Sequence, residues 1–165
     1  MCVCPSSPLA DDGGSPLPFQ VQFSLLSTEP LTSGLVGTCA ELNITPVAYS
    51  PLALGLLSGR YSPDRLNEVP RGPRGVLFRQ LLPQLRPLLN TMEEMGAQRG
   101  KTVAQLALNW CICKGATPIV GAKTPAMVRE AVGALGWRLS SAEVGELELQ
   151  AARCKPATKN IFQTR

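Results

Sequence analysis

Three short strand-like segments, each separated from the next by a stretch long enough for a helix, constrain this chain's fold more than any other feature. The first, Phe19-Gln20-Val21-Gln22-Phe23-Ser24-Leu25-Leu26, alternates so that Phe19, Val21 and Phe23 share a face. The second, Thr45-Pro46-Val47-Ala48-Tyr49-Ser50, is stopped by Pro51. The third, Thr117-Pro118-Ile119-Val120, runs into Gly121-Ala122-Lys123. No hairpin-length connection joins any two of them. Strands joined by long helical crossovers lie parallel, so the pattern predicts an α/β protein with a parallel sheet.

The helices can be read between these strands. Residues 32–43 predict a weak helix, because Gly34 and Gly37 lower its propensity, with Asn43 as its stop. A long loop rich in Gly and Pro follows over roughly 51–75. Loops of that length in a compact domain are usually functional. A helix near 76–98 should be kinked or divided by Pro83 and Pro87. The next is capped by Thr102 and buries Val103, Leu106, Ala107 and Trp110 at i, i+3, i+4 and i+7, before Gly115 ends it. Thr124-Pro125 opens another helix, and Ser140 with Glu143 forms a capping box for the last. Residues 1–18, with four prolines and Asp11-Asp12-Gly13-Gly14, predict a disordered segment. Residues 19–154 read as one domain and 155–165 as a flexible basic tail.

Composition narrows the function classes. A net charge of +4 with scattered basic residues and few aromatics gives no nucleic-acid signature. No apolar run reaches the ~18 residues of a membrane span, and the first eighteen residues hold neither Lys nor Arg, as a targeting segment would. The six cysteines fall as two C-x-C pairs and two singles, and the chain has no histidine, so the spacing gives no metal site. Reduced thiols, a soluble protein and an intracellular setting are expected.

The run Tyr49-Ser50-Pro51-Leu52-Ala53-Leu54-Gly55-Leu56-Leu57-Ser58-Gly59-Arg60-Tyr61, with Pro118-Ile119-Val120-Gly121-Ala122-Lys123 downstream, resembles the cofactor half of an aldo-keto reductase. The likeness covers about 19–154 and is closest to plant-type and potassium-channel-β-like members. It implies a partial (β/α)8 TIM barrel covering roughly the last three β/α units. It also implies NADP(H) as cofactor, and hydride transfer between NADPH and a carbonyl substrate as the family reaction. By the same resemblance, Tyr49 stacks on the nicotinamide and Gln20 bonds its carboxamide, while Ser50, Pro51, Leu52 and Gly55 cover the pyrophosphate. Arg60 and Arg74 (or Arg71 in its place) fold over the cofactor. Gly121, Ala122 and Lys123 receive phosphate at a helix N-terminus, with Lys123 suited to a 2′-phosphate, and Glu130 meets the adenine. Phe19, Met127 and Ala131 depart from the family's usual Asn, Gln or Arg, and Asn.

Read singly, Tyr49 is a packing aromatic and each arginine a solvated loop charge; their combination in one motif points to a site. The family's catalytic Asp, Tyr, Lys and His come from the earlier half of the barrel, which nothing here matches. No catalytic residue is therefore assigned. Two function classes follow: an NADP-dependent oxidoreductase represented by its cofactor-binding part, and a non-catalytic cofactor-binding or regulatory interaction module. The first expects a complementary barrel half or a second copy as partner, and plant-type relatives add the plastid to the cytoplasm as a setting.

Overall fold

The computed structural model describes residues 19–158. The segment 1–18 and residues 159–165 of the expected tail lie outside the described residues. Three strands form one parallel sheet in the order β1-β2-β3: β1 Gln20–Gln22, β2 Val47–Tyr49 and β3 Thr117–Pro118. In β1 and β2, Gln20 pairs with Val47, Val21 with Ala48 and Gln22 with Tyr49. Alternation therefore puts Gln20, Gln22, Val47 and Tyr49 on one face and Val21 and Ala48 on the other. Ala48 is fully buried, which marks its face as the one under the helices.

The first strand is shorter than its alternating pattern predicts. It ends at Gln22 because Ser24 and Ser27 close a tight turn, bonding to each other's backbone at 3.0 and 3.2 Å. The Ser24 hydroxyl also accepts the Leu26 N–H at 3.2 Å. A short polar side chain has here offered the backbone an alternative to the ladder. Phe23 and Leu25 are buried, whereas Phe19 is exposed at the edge.

The helix expected over 32–43 is two helices, α1 Glu29–Thr32 and α2 Leu35–Glu41, separated at Gly34, whose φ of +81° ends the first turn. The expected helix 76–98 is divided as its prolines predict. Helix α3 spans Pro73–Leu81 and α4 spans Arg86–Arg99, with Pro83 in the gap and Pro87 in the first turn of α4. Helix α5, Val103–Cys113, carries a full capping box in which Gln105 joins Thr102. Helix α6, Pro125–Val132, is capped by the Thr124 hydroxyl. Helix α7, Ser141–Thr158, follows the Ser140–Glu143 box and extends into the expected tail.

The core lies between the sheet and this helical layer. Trp110 on α5 packs against Phe23 with ring centroids 4.9 Å apart, and both are fully buried. Phe78 from α3, Leu88 and Met92 from α4 and Leu147 from α7 complete the cluster. Burying each such side chain contributes about 1.5–3 kcal/mol. No helix among the described residues is long and apolar enough to cross a membrane.

Candidate functional site

The site is built where β2 and β3 end. Ser50, immediately after β2, has φ of +53°, and Ala53, Leu54 and Gly55 follow at +48°, +59° and +98°. Three of these four are not glycine. Left-handed backbone at such residues costs of order 1 kcal/mol or more each and persists only where the surroundings enforce it. Here the enforcement is visible. Ala53, Leu56 and Leu57 are fully buried, and the turn is tied by Ala53 N–H to Ser50 O (2.9 Å), Gly55 N–H to Leu52 O (2.8 Å) and Leu57 N–H to Leu52 O (3.1 Å). A single-turn 3-10 helix, Ala53–Gly55, results. The Ser58 hydroxyl donates to Gly55 O at 2.6 Å and accepts the Arg60 N–H at 3.3 Å, which sets the exit of the loop.

Arg74 reaches this loop from the first turn of α3. Its guanidinium donates to Leu54 O and lies 5.1 Å from the centre of the Phe78 ring. Arg60 lies 5.5 Å from the Tyr61 ring centre, and Tyr61 meets Phe78 edge to face at 5.1 Å. The two arginines are thus held on aromatic faces. The opposite wall comes from the end of β3 and from α6: Ile119, Val120, Gly121, Lys123 and Met127. Between the walls is a cleft of about 470 Å³. Its cations are Arg60, Arg74 and Lys123, and no carboxylate lines it. Such a hollow favours an anion electrostatically over any neutral ligand.

Of the residues singled out in the sequence, Ser50, Pro51, Leu52, Gly55, Arg60, Arg74, Gly121 and Lys123 meet in this cleft. Arg74 lines it and Arg71 does not. Gln20 and Tyr49 instead share a second hollow of about 350 Å³ on the sheet face, with Gln22, Ser27, Glu29 and Ser33. Because Tyr49 is bonded to Ser50, the two hollows adjoin at one peptide. In the second, the Oε1 of Gln22 is buried with no hydrogen-bond partner among the described residues. Ala122 lies in a shallow depression beside the cleft, with Lys123, Thr124 and Arg129. Glu130 lines none of these hollows: its backbone carbonyl accepts a bond from Gln105 Nε2 at 3.0 Å and its side chain is exposed.

Leu54, Ser58, Tyr61, Ile119 and Val120 line the cleft without having been singled out as site residues. All five lie inside the quoted runs, so the signal for them was present. Ile119 carries a structural one as well, an apolar side chain 45% exposed at a strand end.

Comparisons with known proteins bear on the fold and the family. The model of the "Aldo/keto reductase family" matches residues 11–150. A chloroplastic pyridoxal reductase of Arabidopsis thaliana is 50% identical over 147 residues, covering 88% of this chain and 40% of that protein. "Aldo-keto reductase yakc [NADP(+)]" of Schizosaccharomyces pombe is 34% identical over 139 residues, covering 78% of this chain and 39% of its own. Among solved structures, a glycerol dehydrogenase of Gluconobacter oxydans superposes with a TM-score of 0.61 at 23% identity, covering 83% of this chain and 42% of that one. A thermostable aldo-keto reductase superposes at 0.57, also at 23% identity, over 79% and 38%. The chain spans about two fifths of the length of the curated relatives it matches. Its sheet and helices are thus part of a (β/α)8 barrel, and the chain belongs to the aldo/keto reductase family.

Proposed function

We propose that this chain is the NADP(H)-binding part of a reductase acting on a carbonyl substrate. The observation that carries the reading is the cleft with three cations and no carboxylate at the C-terminal ends of the strands. That is where (β/α)8 barrels bind ligands, and the loops after their last two strands frequently hold phosphate. The residues fit the cofactor. Arg60 and Arg74 present guanidinium forks to the pyrophosphate. Gly55 leaves room where a Cβ would approach Arg74 to 2.8 Å. Lys123, just before α6, suits a 2′-phosphate, which selects NADP over NAD. On the sheet face, Gln20 can both donate to and accept from a carboxamide, and Tyr49 offers a flat ring beside it. Gly121 and Ala122 approach as backbone, and Glu130 is assigned to the adenine end. The bound cofactor supplies the hydride; the chain's residues hold and orient it.

Two relatives are named for reducing aldehydes, pyridoxal and L-glyceraldehyde 3-phosphate, and one carries NADP(+) in its name. Those names support an aldehyde substrate and the NADP cofactor here. The chloroplastic relative supports the plastid as the setting. The Asp, Tyr, Lys and His that complete the family chemistry belong to the part of the barrel this chain does not match, so turnover requires a complementary half.

Titration of the chain with NADPH, followed by tryptophan fluorescence with NADH as control, tests the reading. Saturable binding that prefers NADPH is expected. Arg60→Ala should weaken it by about tenfold or more, since one charge-assisted bond is worth about 1.5–3 kcal/mol. Lys123→Ala should chiefly narrow the preference over NADH. Absence of saturable binding by a folded chain would sink the proposal. The second reading, a non-catalytic binding module, is favoured by the absence of histidine and by the location of both tyrosines beside the candidate cofactor hollows. It expects cofactor binding with no turnover even after a complementary half is supplied.

A further inference from the structure

We propose that the hollow on the sheet face selects the oxidised, positively charged nicotinamide ring over the reduced, neutral one, and that the Glu29 carboxylate sets this preference. The inference deepens the cofactor assignment above and rests on it.

The two adjoining hollows have opposite electrostatic character. The cleft is lined by Arg60, Arg74 and Lys123 and by no carboxylate. The sheet-face hollow is lined by Glu29 and by no Lys or Arg. Its other polar side chains are amides and hydroxyls. Glu29 makes no ion pair among the described residues, so its charge is not cancelled locally. Its backbone is fixed, because Glu29 O accepts the Thr32 hydroxyl at 3.1 Å and the Ser33 N–H at 2.9 Å. The side chain is exposed, so water screens its attraction for a cation and limits the effect to a modest factor.

Two further features act on the same ring. Gln22 stands opposite Tyr49 in the strand register, whereas Gln20 stands opposite Val47. The Oε1 of Gln22 is buried with no hydrogen-bond partner among the described residues, so a partial negative charge is left without a donor beside Tyr49. The Tyr49 ring offers a π face that is negative at its centre, and a cationic ring laid on it gains more than a neutral one. Carboxylate, unpaired carbonyl and π face thus share one sign. An oxidised dinucleotide carries the complementary pattern, with negative phosphates at one end and a pyridinium at the other. In the reduced form the phosphates are unchanged and the ring is neutral, so only the hollow tells the two apart. The balance between the bound oxidised and reduced forms shifts by the ratio of the two affinities, which makes bound NADPH the stronger hydride donor.

The test compares the dissociation constants of NADP+ and NADPH for the chain, the first measured by displacement of the second, at about 20 mM and about 500 mM salt. The ratio cancels every contact made by the phosphates and the adenine. At low salt NADP+ should bind about three- to tenfold more tightly than NADPH. High salt should shrink that ratio, since it screens an exposed carboxylate. Glu29→Gln, which keeps the shape of the side chain, should remove most of the preference, and Glu29→Lys should reverse it. Arg60→Ala should weaken both forms alike and leave the ratio unchanged. Glu93→Gln, on α4 and exposed but lining neither hollow, is the control. Equal affinity of the wild type for the two forms, or a preference that Glu29→Gln leaves intact, would overturn the inference and leave the cofactor assignment standing. Binding of neither form by the folded chain would overturn both.

Discussion

At the scale of single residues, two positions decide local geometry. Gly55 combines a φ of +98° with the close approach of Arg74. Gly55→Ala should therefore destabilise the chain by about 1–2 kcal/mol in urea unfolding and displace the Arg74 guanidinium. The second position is Asn109, fully buried on α5. Its Nδ2 donates to Ala134 O and Trp137 O at 2.9 Å each, and its Oδ1 accepts the Leu139 N–H at 2.9 Å. Asn109→Leu should cost about 3 kcal/mol, because three backbone groups of the α6–α7 connection lose their partner in the interior. Urea midpoints compare the variant with the wild type. The motif around Ser50 made Gly55 legible in the sequence. Nothing did so for Asn109, a polar residue in a largely apolar helix whose partners lie about 25–30 positions away.

At the scale of elements, the start of α7 is fastened to the end of α4. Arg99 pairs with Glu143 through two bonds of 2.5 and 2.6 Å, and the Glu143 carboxylate also accepts from the Ser140 N–H and hydroxyl. The Arg99 guanidinium, with help from Ser140, holds the Glu143 carboxyl down at about 2. A carboxylate whose folded pKa is depressed adds stability above its ordinary value of 4.5 and loses it as pH falls through the folded value. The contribution, discounted for solvent screening, is on the order of 1 kcal/mol. Acid titration of the thermal midpoint should show this loss between about pH 4.5 and 2, and Glu143→Gln should flatten it. Ser140→Ala should cost a further ~1 kcal/mol at neutral pH. The capping pair was legible because it is local in sequence. Its partner Arg99, forty-four positions away, was not.

At the scale of the whole molecule, burial sets the order of thiol reactivity. Cys111 lies on α5, its Sγ 3.8 Å from the O of Phe23 just past β1, and burial pushes its thiol up to about 12. The buried neutral thiol adds stability that is complete below its ordinary value of 9.0 and is lost as pH rises towards the folded value. Among the described cysteines, Cys113 is half-buried while Cys39, Cys111 and Cys154 are buried. Of these four, iodoacetamide at mildly alkaline pH should therefore label Cys113 first, and Cys111 only at the rate of unfolding, as read by peptide mass mapping. Early labelling of Cys111 would mean that the sheet and the helical layer separate without global unfolding.

The sequence by itself determined the element order, the parallel sense of the sheet, the division of the long helix at its prolines and most of the residues that meet in the cleft. These follow from local physics: alternation, capping and the missing N–H of proline act within a few residues, and the Ser50 motif is contiguous. Tertiary structure alone decided where β1 stops, that Arg74 rather than Arg71 reaches the loop, and that Gln20 and Tyr49 occupy a hollow beside the cleft. It also decided that Glu130 turns outward. Each of those outcomes depends on groups distant in the chain arriving together, and a pattern read along one dimension carries no record of which side of an element its neighbours will take.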